Sequence, residues 1–302
     1  MMKALIGLLR PKQWTKNLVV FAPLIFAQKF GDSALVLKTL AAFASFCLLS
    51  GGVYAFNDVL DLEKDKRHPE KKHRPLPSGR LSVPAAVLAS LVATLAGLAL
   101  AVSLNRETGV VALSYTALTA AYSIALKKFV VLDVLVLSVG FLLRAVAGAC
   151  AIQVEVSPWL MMCTILLALF LALGKRRHEL VLLAEDAGDH RASLSEYSAG
   201  LLDQMISIVA SLTVTAYFLY TMSKGMKDRL GRIGAPLGPI DPQYLMGLTI
   251  PFVLYGMFRY LYLIHRKEMG GSPEKVLFLD KPLLVAVVLW IATAMGILCW
   301  AR

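Results

Sequence analysis

At 302 residues, 58% of them hydrophobic, with a mean hydropathy of +0.67, the chain is too apolar for a soluble protein of its size and is read as an integral membrane protein. Its formal net charge of +11 at pH 7 resides mainly in short loops between apolar runs, and no nucleic-acid partner is expected. Cys47, Cys150, Cys163 and Cys299 all lie inside apolar segments without CxxC spacing, and the five histidines lack the i, i+4 pairing of a zinc helix, so neither redox-pair nor zinc chemistry is indicated.

Met1 to Arg10 lead into Pro11-Lys12-Gln13-Trp14 without a small-residue cleavage site, so the first apolar stretch is expected to stay as an anchor. Apolar runs of about 20 residues predict nine spans, roughly 17–30, 35–60, 83–104, 108–126, 130–152, 158–174, 199–222, 245–264 and 282–300. The expected fold is an all-α bundle of about nine transmembrane helices forming one domain over residues 1–302. Lys and Arg gather in the N-terminus and every second loop, which predicts a cytoplasmic N-terminus in a cytoplasmic (inner) membrane. The stretch 223–242 resists this count, with Lys224, Lys227, Arg229 and Arg232 on the opposite side. It is read as re-entrant or interfacial, or as the mark of a helix count wrong by one.

The second span ends in Asn57-Asp58-Val59-Leu60-Asp61-Leu62-Glu63-Lys64-Asp65. On a continuous helix Asn57, Asp61 and Asp65 recur every four residues, with Asp58 three before Asp61, and all four side chains crowd one face. Such crowding repels. A hard divalent cation relieves it, and Mg²⁺ takes one or two carboxylates together with substrate phosphate oxygens. The alternative is a solvated helix end. The loop that follows, Lys66 to Arg80, is strongly basic and interrupted by Pro69, Pro75 and Pro77, so it cannot be regular helix. It suits either anionic lipid headgroups or the oxygens of a phosphate-rich substrate.

Further along, Asp133, Arg144 and Arg259 are charges within spans and should face the protein interior. Arg144 pairs either with Asp133 or a backbone carbonyl, or binds an anion. A second polar cluster follows the sixth span: Lys175, Arg176, Arg177, His178 and Glu179, then Glu185, Asp186, Asp189, Arg191 and Tyr197. Small residues such as Gly97, Gly140 and Gly148 permit close helix packing within or between subunits, which is compatible with a homo-oligomer.

The pattern NDxxDxxxD at the end of a second helix, followed by a basic loop closing in Arg-Pro-Leu-Pro-Ser-Gly, resembles the UbiA superfamily of intramembrane transferases over the whole chain. Where ordinary members carry a second acidic motif, Gly174-Lys175-Arg176-Arg177-His178-Glu179-Leu180 is similar to the GKRxxEL stretch of the decaprenyl-phosphate phosphoribosyltransferase branch. Arg10-Pro11-Lys12-Gln13-Trp14-Thr15-Lys16-Asn17, Tyr122-Ser123 with Lys127, Asp133 with Arg144, and Pro273-Glu274 with Asp280 point the same way. The resemblance implies Mg²⁺ as cofactor, 5-phosphoribosyl 1-diphosphate (PRPP) as ribosyl donor and a polyprenyl phosphate as acceptor lipid. It assigns Asp58, Asp61 and Asp65 to the metal, with Asn57 orienting or ligating. Lys16, Asn17, Arg67, Arg74, Lys175, Arg176 and Arg177 would hold substrate phosphates, and Glu179, Tyr122, Lys127, Asp133 and Arg144 form the second polar set.

Two other readings stay open. An ordinary prenyltransferase shares the first motif but predicts acids where Lys175 to Arg177 stand. A cation or phosphate transporter would place its site near the bilayer midplane, whereas these acids lie at a helix end.

Overall fold

The computed structural model describes residues 2–67, 71–183, 192–223, 242–267, 269–271 and 273–300. His68, Pro69, Glu185, Asp186, Asp189, Arg191 and the basic run 224–241 lie outside the described residues. Among those described, the helices are α1 (Met2–Leu8), α2 (Ala22–Phe26), α3 (Ser33–Leu60), α4 (Leu62–Arg67), α5 (Val83–Leu104), α6 (Arg106–Ile124) and α7 (Leu132–Ala151). They continue as α8 (Pro158–Leu183), α9 (Ala199–Thr221), α10 (Ile250–Arg266), α11 (Pro273–Leu279) and α12 (Lys281–Trp300), with short 3-10 segments between and no strand.

Among the described residues, seven helical stretches are long and apolar enough to cross a membrane: α3, α5, α7, α8, α9, α12 and the run Tyr244–Arg266 that contains α10. The chain is a multi-pass membrane protein. Of the nine expected spans, two take other forms. Over 17–30 no long helix forms: Pro11–Phe21 is a 3-10 segment, and Pro23 near the start of the five-residue α2 brings no amide donor. α6 has 19 residues but, opening on Arg106 and Glu107 and carrying several hydroxyls, is not among the seven.

The chain divides into two compact units, the first built from α1–α7 and the 3-10 turn Ala192–Glu196, the second from α8–α12. In the first, Asp32, Ser82 and Asn105 cap α3, α5 and α6 by accepting from Ala34 N (2.9 Å), Ala85 N (3.4 Å) and Thr108 N (2.8 Å). α3 and α5 approach through small residues, with Ser45 Oγ donating to Gly97 O at 2.7 Å and Ser90 Oγ to Gly52 O at 2.8 Å. Val20, Ala42, Phe46, Leu49, Ala101, Ala112, Tyr115, Ala147 and Ala151 form the central core. A second cluster, Leu8, Ala55, Leu76, Leu81 and Ala86, ties α1 and the basic loop to the acidic end of α3.

Gly148 of α7 lies against the backbone of the Pro11–Phe21 segment, where an added Cβ would strike the Val20 carbonyl. Gly148→Ala should therefore cost about 1–3 kcal/mol by overpacking, seen as a lower melting temperature in detergent. An unchanged melt would mean that the segment yields instead.

In the second unit α8 packs on α9 and α10 on α12. Trp290 Nε1 donates to Tyr217 Oη at 2.7 Å, and that hydroxyl lies 2.6 Å from Thr249 Oγ1, which donates to the Met246 carbonyl. Arg259 does not bury its charge as expected of a mid-span arginine; it remains 29% exposed and donates to both Asp280 oxygens at 3.1 and 2.8 Å. That contact holds the Asp280 carboxyl below the usual carboxylate range while its Oδ1 caps α12 by accepting from Leu283 N at 2.9 Å. Cys299, although it lies inside an apolar segment, is exposed near the end of α12.

Candidate active site

α3 stops at Leu60, and Asp61 leaves helical geometry (φ −98°, ψ 13°) before α4 begins at Leu62. The helical spacing survives the break, since Asp61 N donates to Asn57 O at 2.9 Å and Asp65 N to Asp61 O at 2.8 Å. The side chains nevertheless divide into two pairs rather than crowding one face. Asn57 Nδ2 donates to Asp61 Oδ2 at 3.0 Å, and Lys127 Nζ lies 2.8 and 2.7 Å from the two Asp61 oxygens and 3.2 Å from Asn57 Oδ1. Arg74 NH1 bridges the other pair, at 3.1 Å from Asp58 Oδ1 and 2.6 Å from Asp65 Oδ2.

Asp58 and Asp65 are almost fully buried, and a buried carboxylate without a partner costs several kcal/mol. Beyond Arg74, Arg10 pairs with Asp58 and Lys71 Nζ lies 3.7 Å from Asp65 Oδ1. Arg10 reaches its acid from a left-handed backbone (φ 50°, ψ 63°), unusual for a non-glycine residue, with its guanidinium 5.0 Å from the centre of the Tyr54 ring. Four cations thus meet three carboxylates, leaving one net positive charge. Arg10, Lys71 and Tyr54 had no assigned role in the sequence reading, although Arg10 opens the stretch that carried part of the resemblance and Lys71 lies in the basic loop.

The donor set, three carboxylates and an amide oxygen, consists of the hard oxygens that Mg²⁺ prefers. Among the described residues no three acids, histidines or cysteines converge on one point. The arrangement fits a cation held by one or two carboxylates and completed by diphosphate oxygens; it does not fit Asp58, Asp61 and Asp65 as a joint three-acid cage.

Other expected site residues lie elsewhere in the first unit. Asn17 is fully buried and spent internally: Nδ2 donates toward Ser50 Oγ (3.2 Å) and Cys47 Sγ (3.4 Å), and Oδ1 accepts from Arg144 Nε at 2.7 Å. It offers no group to a phosphate in this arrangement. Arg144 pairs not with Asp133 but with Asn17, the Gly140 carbonyl (2.9 Å) and Tyr115 Oη (2.8 Å), its guanidinium 4.7 and 4.9 Å from the Tyr115 and Phe141 ring centres. It is a structural hub rather than an anion site. Asp133, fully buried, accepts from Ser193 Oγ at 3.1 Å, and this bond fixes the 3-10 turn Ala192–Glu196 to the start of α7. Lys16 and Tyr122 are half-buried, and Arg67 is exposed at the end of α4.

The second unit carries the second cluster on α8. Arg176 is 2% exposed and paired with Glu179, which Lys175 Nζ approaches to 3.8 Å, so Arg176 is turned inward. Arg177 Nε donates to Asp203 Oδ1 at 2.5 Å. Gly270 and Gly271 lie close against Gly174 and His178, where side chains would collide with the Gly174 carbonyl and the His178 ring.

An all-helical membrane protein with an acidic helix end ringed by cations has the architecture of an intramembrane transferase. The chain belongs to the UbiA prenyltransferase family, whose model matches residues 18–280. It is 33% identical over 97% of its length to a decaprenyl-phosphate phosphoribosyltransferase of Mycolicibacterium smegmatis, covering 92% of that protein. It is 32% identical over 95% of its length to the protein of the same name from Corynebacterium glutamicum, covering 84% of it. Among solved structures, a UbiA homologue from Archaeoglobus fulgidus bound to DMAPP and Mg²⁺ superposes with a TM-score of 0.70 at 18% identity, covering 98% of this chain and 99% of that one. This last likeness concerns the fold alone.

Proposed function

We propose that this transferase moves 5-phosphoribose from PRPP to a polyprenyl phosphate at the cytoplasmic membrane face, for cell-envelope polysaccharide precursors. The observation that carries the reading is the self-neutralised acid face, where Arg10, Lys71, Arg74 and Lys127 already stand beside Asp58, Asp61 and Asp65. A prenyl diphosphate would need fewer cations than a donor that carries a diphosphate and a 5-phosphate together with a lipid monophosphate. The basic cluster Lys175 to Arg177, in place of a second acidic motif, and the named relatives support the same choice.

Mg²⁺, held by Asp61 with Asn57 or by Asp58 with Asp65, would supply Lewis-acid stabilisation of the departing diphosphate. Arg74 and Lys127, now on the carboxylates, would re-pair with diphosphate oxygens and hold them as the ribose C1–O bond breaks, an interaction that strengthens as charge develops. The new C1–O bond forms to an oxygen of the lipid phosphate, which is already ionised at neutral pH, so no strong general base is required. Lys175 and Arg177 would bind phosphate in the second unit. Metal dependence gives the first test: purified protein with radiolabelled PRPP and polyprenyl phosphate should yield labelled lipid, lose the product in EDTA and regain it with added Mg²⁺. Full turnover in EDTA would exclude the metal.

A further inference from the structure

Asp203 stands five residues into α9, and its carboxylate joins three helices of the second unit. Arg177 from α8 donates from Nε to Asp203 Oδ1 at 2.5 Å, and His265 from the last turn of α10 reaches the same oxygen through Nε2 at 3.1 Å. The imidazole is fixed at its other edge as well, with Nδ1 2.9 Å from the Leu261 carbonyl oxygen. An imidazole thus backs a carboxylate that in turn grips a guanidinium.

Where Arg177 is gripped decides what it can still bind. A guanidinium has five N–H donors in a rigid fork, one on Nε and four on the terminal nitrogens. With Nε held by Asp203, the end-on edge formed by the two terminal nitrogens remains, and no residue among those described takes it. Two parallel donors on that edge match two oxygens of a phosphate. Its neighbour Arg176 is committed to Glu179, so Arg177 is the arginine of the cluster whose outer edge the fold leaves available.

We propose that Asp203, backed by His265, is a positioning residue that fixes Arg177 for end-on, two-point binding of a substrate phosphate; this rests on the phosphoribosyl-transfer reading above. Holding the long side chain before the anion arrives removes part of the ordering cost of binding. The donor 5-phosphate and the lipid monophosphate share this chemistry. A mere staple between three helices would have a different signature, a lower melting temperature with unchanged substrate affinities.

The test uses the full chain, purified in detergent with Mg²⁺, as wild type, Arg177→Ala, Asp203→Ala, Asp203→Asn and the Arg177→Ala/Asp203→Ala double variant. KM is measured with PRPP and polyprenyl phosphate varied in turn. Losing a charge-assisted hydrogen bond should raise KM for one substrate roughly tenfold in both single alanine variants, with kcat much less affected. The double variant should be no worse than Arg177→Ala, because Asp203 acts through Arg177. The substrate whose KM moves identifies which phosphate is bound. Asp203→Asn keeps the shape and an acceptor oxygen without the charge, and should fall between wild type and Asp203→Ala even if the alanine variant does not fold. Additive effects in the double variant, or lower melting temperatures with unchanged KM values, would overturn the proposal.

Should wild-type protein transfer no phosphoribose, the functional reading fails by itself, and binding of radiolabelled inorganic diphosphate to the same proteins decides the positioning role. Parallel loss of binding in Arg177→Ala and Asp203→Asn supports it. Wild-type binding in Asp203→Asn, whatever Arg177→Ala does, overturns it.

Discussion

Alanine in place of Asp61 is expected to cut phosphoribosyl transfer by about 10²–10³-fold or more, the scale on which loss of one preorganised electrostatic group is felt. Asp61 is the carboxylate of the motif that remains reachable, 27% exposed, with Asn57 and Lys127 on its flanks. Its removal leaves Lys127 without an anion but opens no buried cavity, so the variant should melt close to wild type. Measuring both turnover and melting temperature separates the two effects. Near-normal turnover would refute a catalytic role for Asp61. Asp58→Ala is a different experiment, because it strips Arg10 and Arg74 of a buried partner and should damage the fold as well as the chemistry.

The second large effect lies away from the chemistry. Arg144→Ala removes donors to Asn17 Oδ1, the Gly140 carbonyl and Tyr115 Oη at once, inside a closely packed part of the first unit. Hydrogen bonds to charged groups contribute about 1.5–3 kcal/mol each, and the orphaned polar atoms would be buried. A loss of about 3 kcal/mol or more is expected, lowering the melting temperature by about 5 °C or more. Arg144→Lys should not restore it, since an ammonium cannot span three acceptors set around a planar fork. A melt within about 2 °C of wild type would contradict the structural role, and a specific rise in a substrate KM at unchanged stability would return Arg144 to the anion-binding reading.

Much of this was legible in residues. Long apolar runs located the seven strong candidates for spanning helices because length and hydropathy suffice for that decision. They failed at 17–30, where Pro23 and the polar Asn17, Gln28 and Lys29 favour short segments, and were insufficient for α6, whose hydroxyls and opening charges dilute its apolarity. The order Asn57, Asp58, Asp61, Asp65 pointed to the acid face through helical spacing. Spacing could not reveal the break at Asp61, nor that Arg74 and Lys127 would arrive from distant positions to divide the acids into pairs.

Long-range partnership is what a pattern along the chain cannot carry. For Arg144 the sequence offers Asp133, a backbone carbonyl or an anion; the Gly140 carbonyl is indeed a partner, but Asn17, 127 residues away, is one that no local pattern indicates. Asp203, an acid inside an apolar run, is itself a signal, but its partners Arg177 and His265 lie 26 and 62 residues away, beyond any local pattern. The basic character of Lys175 to Arg177 was plain, but not that Arg176 turns inward to Glu179 while Arg177 keeps an open edge.

Mass analysis of the lipid product decides the identity of the donor. Purified protein with Mg²⁺, PRPP and a polyprenyl phosphate should convert the lipid to its phosphoribosyl derivative and release diphosphate. No such lipid from that pair, with transfer of the prenyl group from a polyprenyl diphosphate to an aromatic acceptor instead, would contradict the account and make the chain an ordinary prenyltransferase of its family.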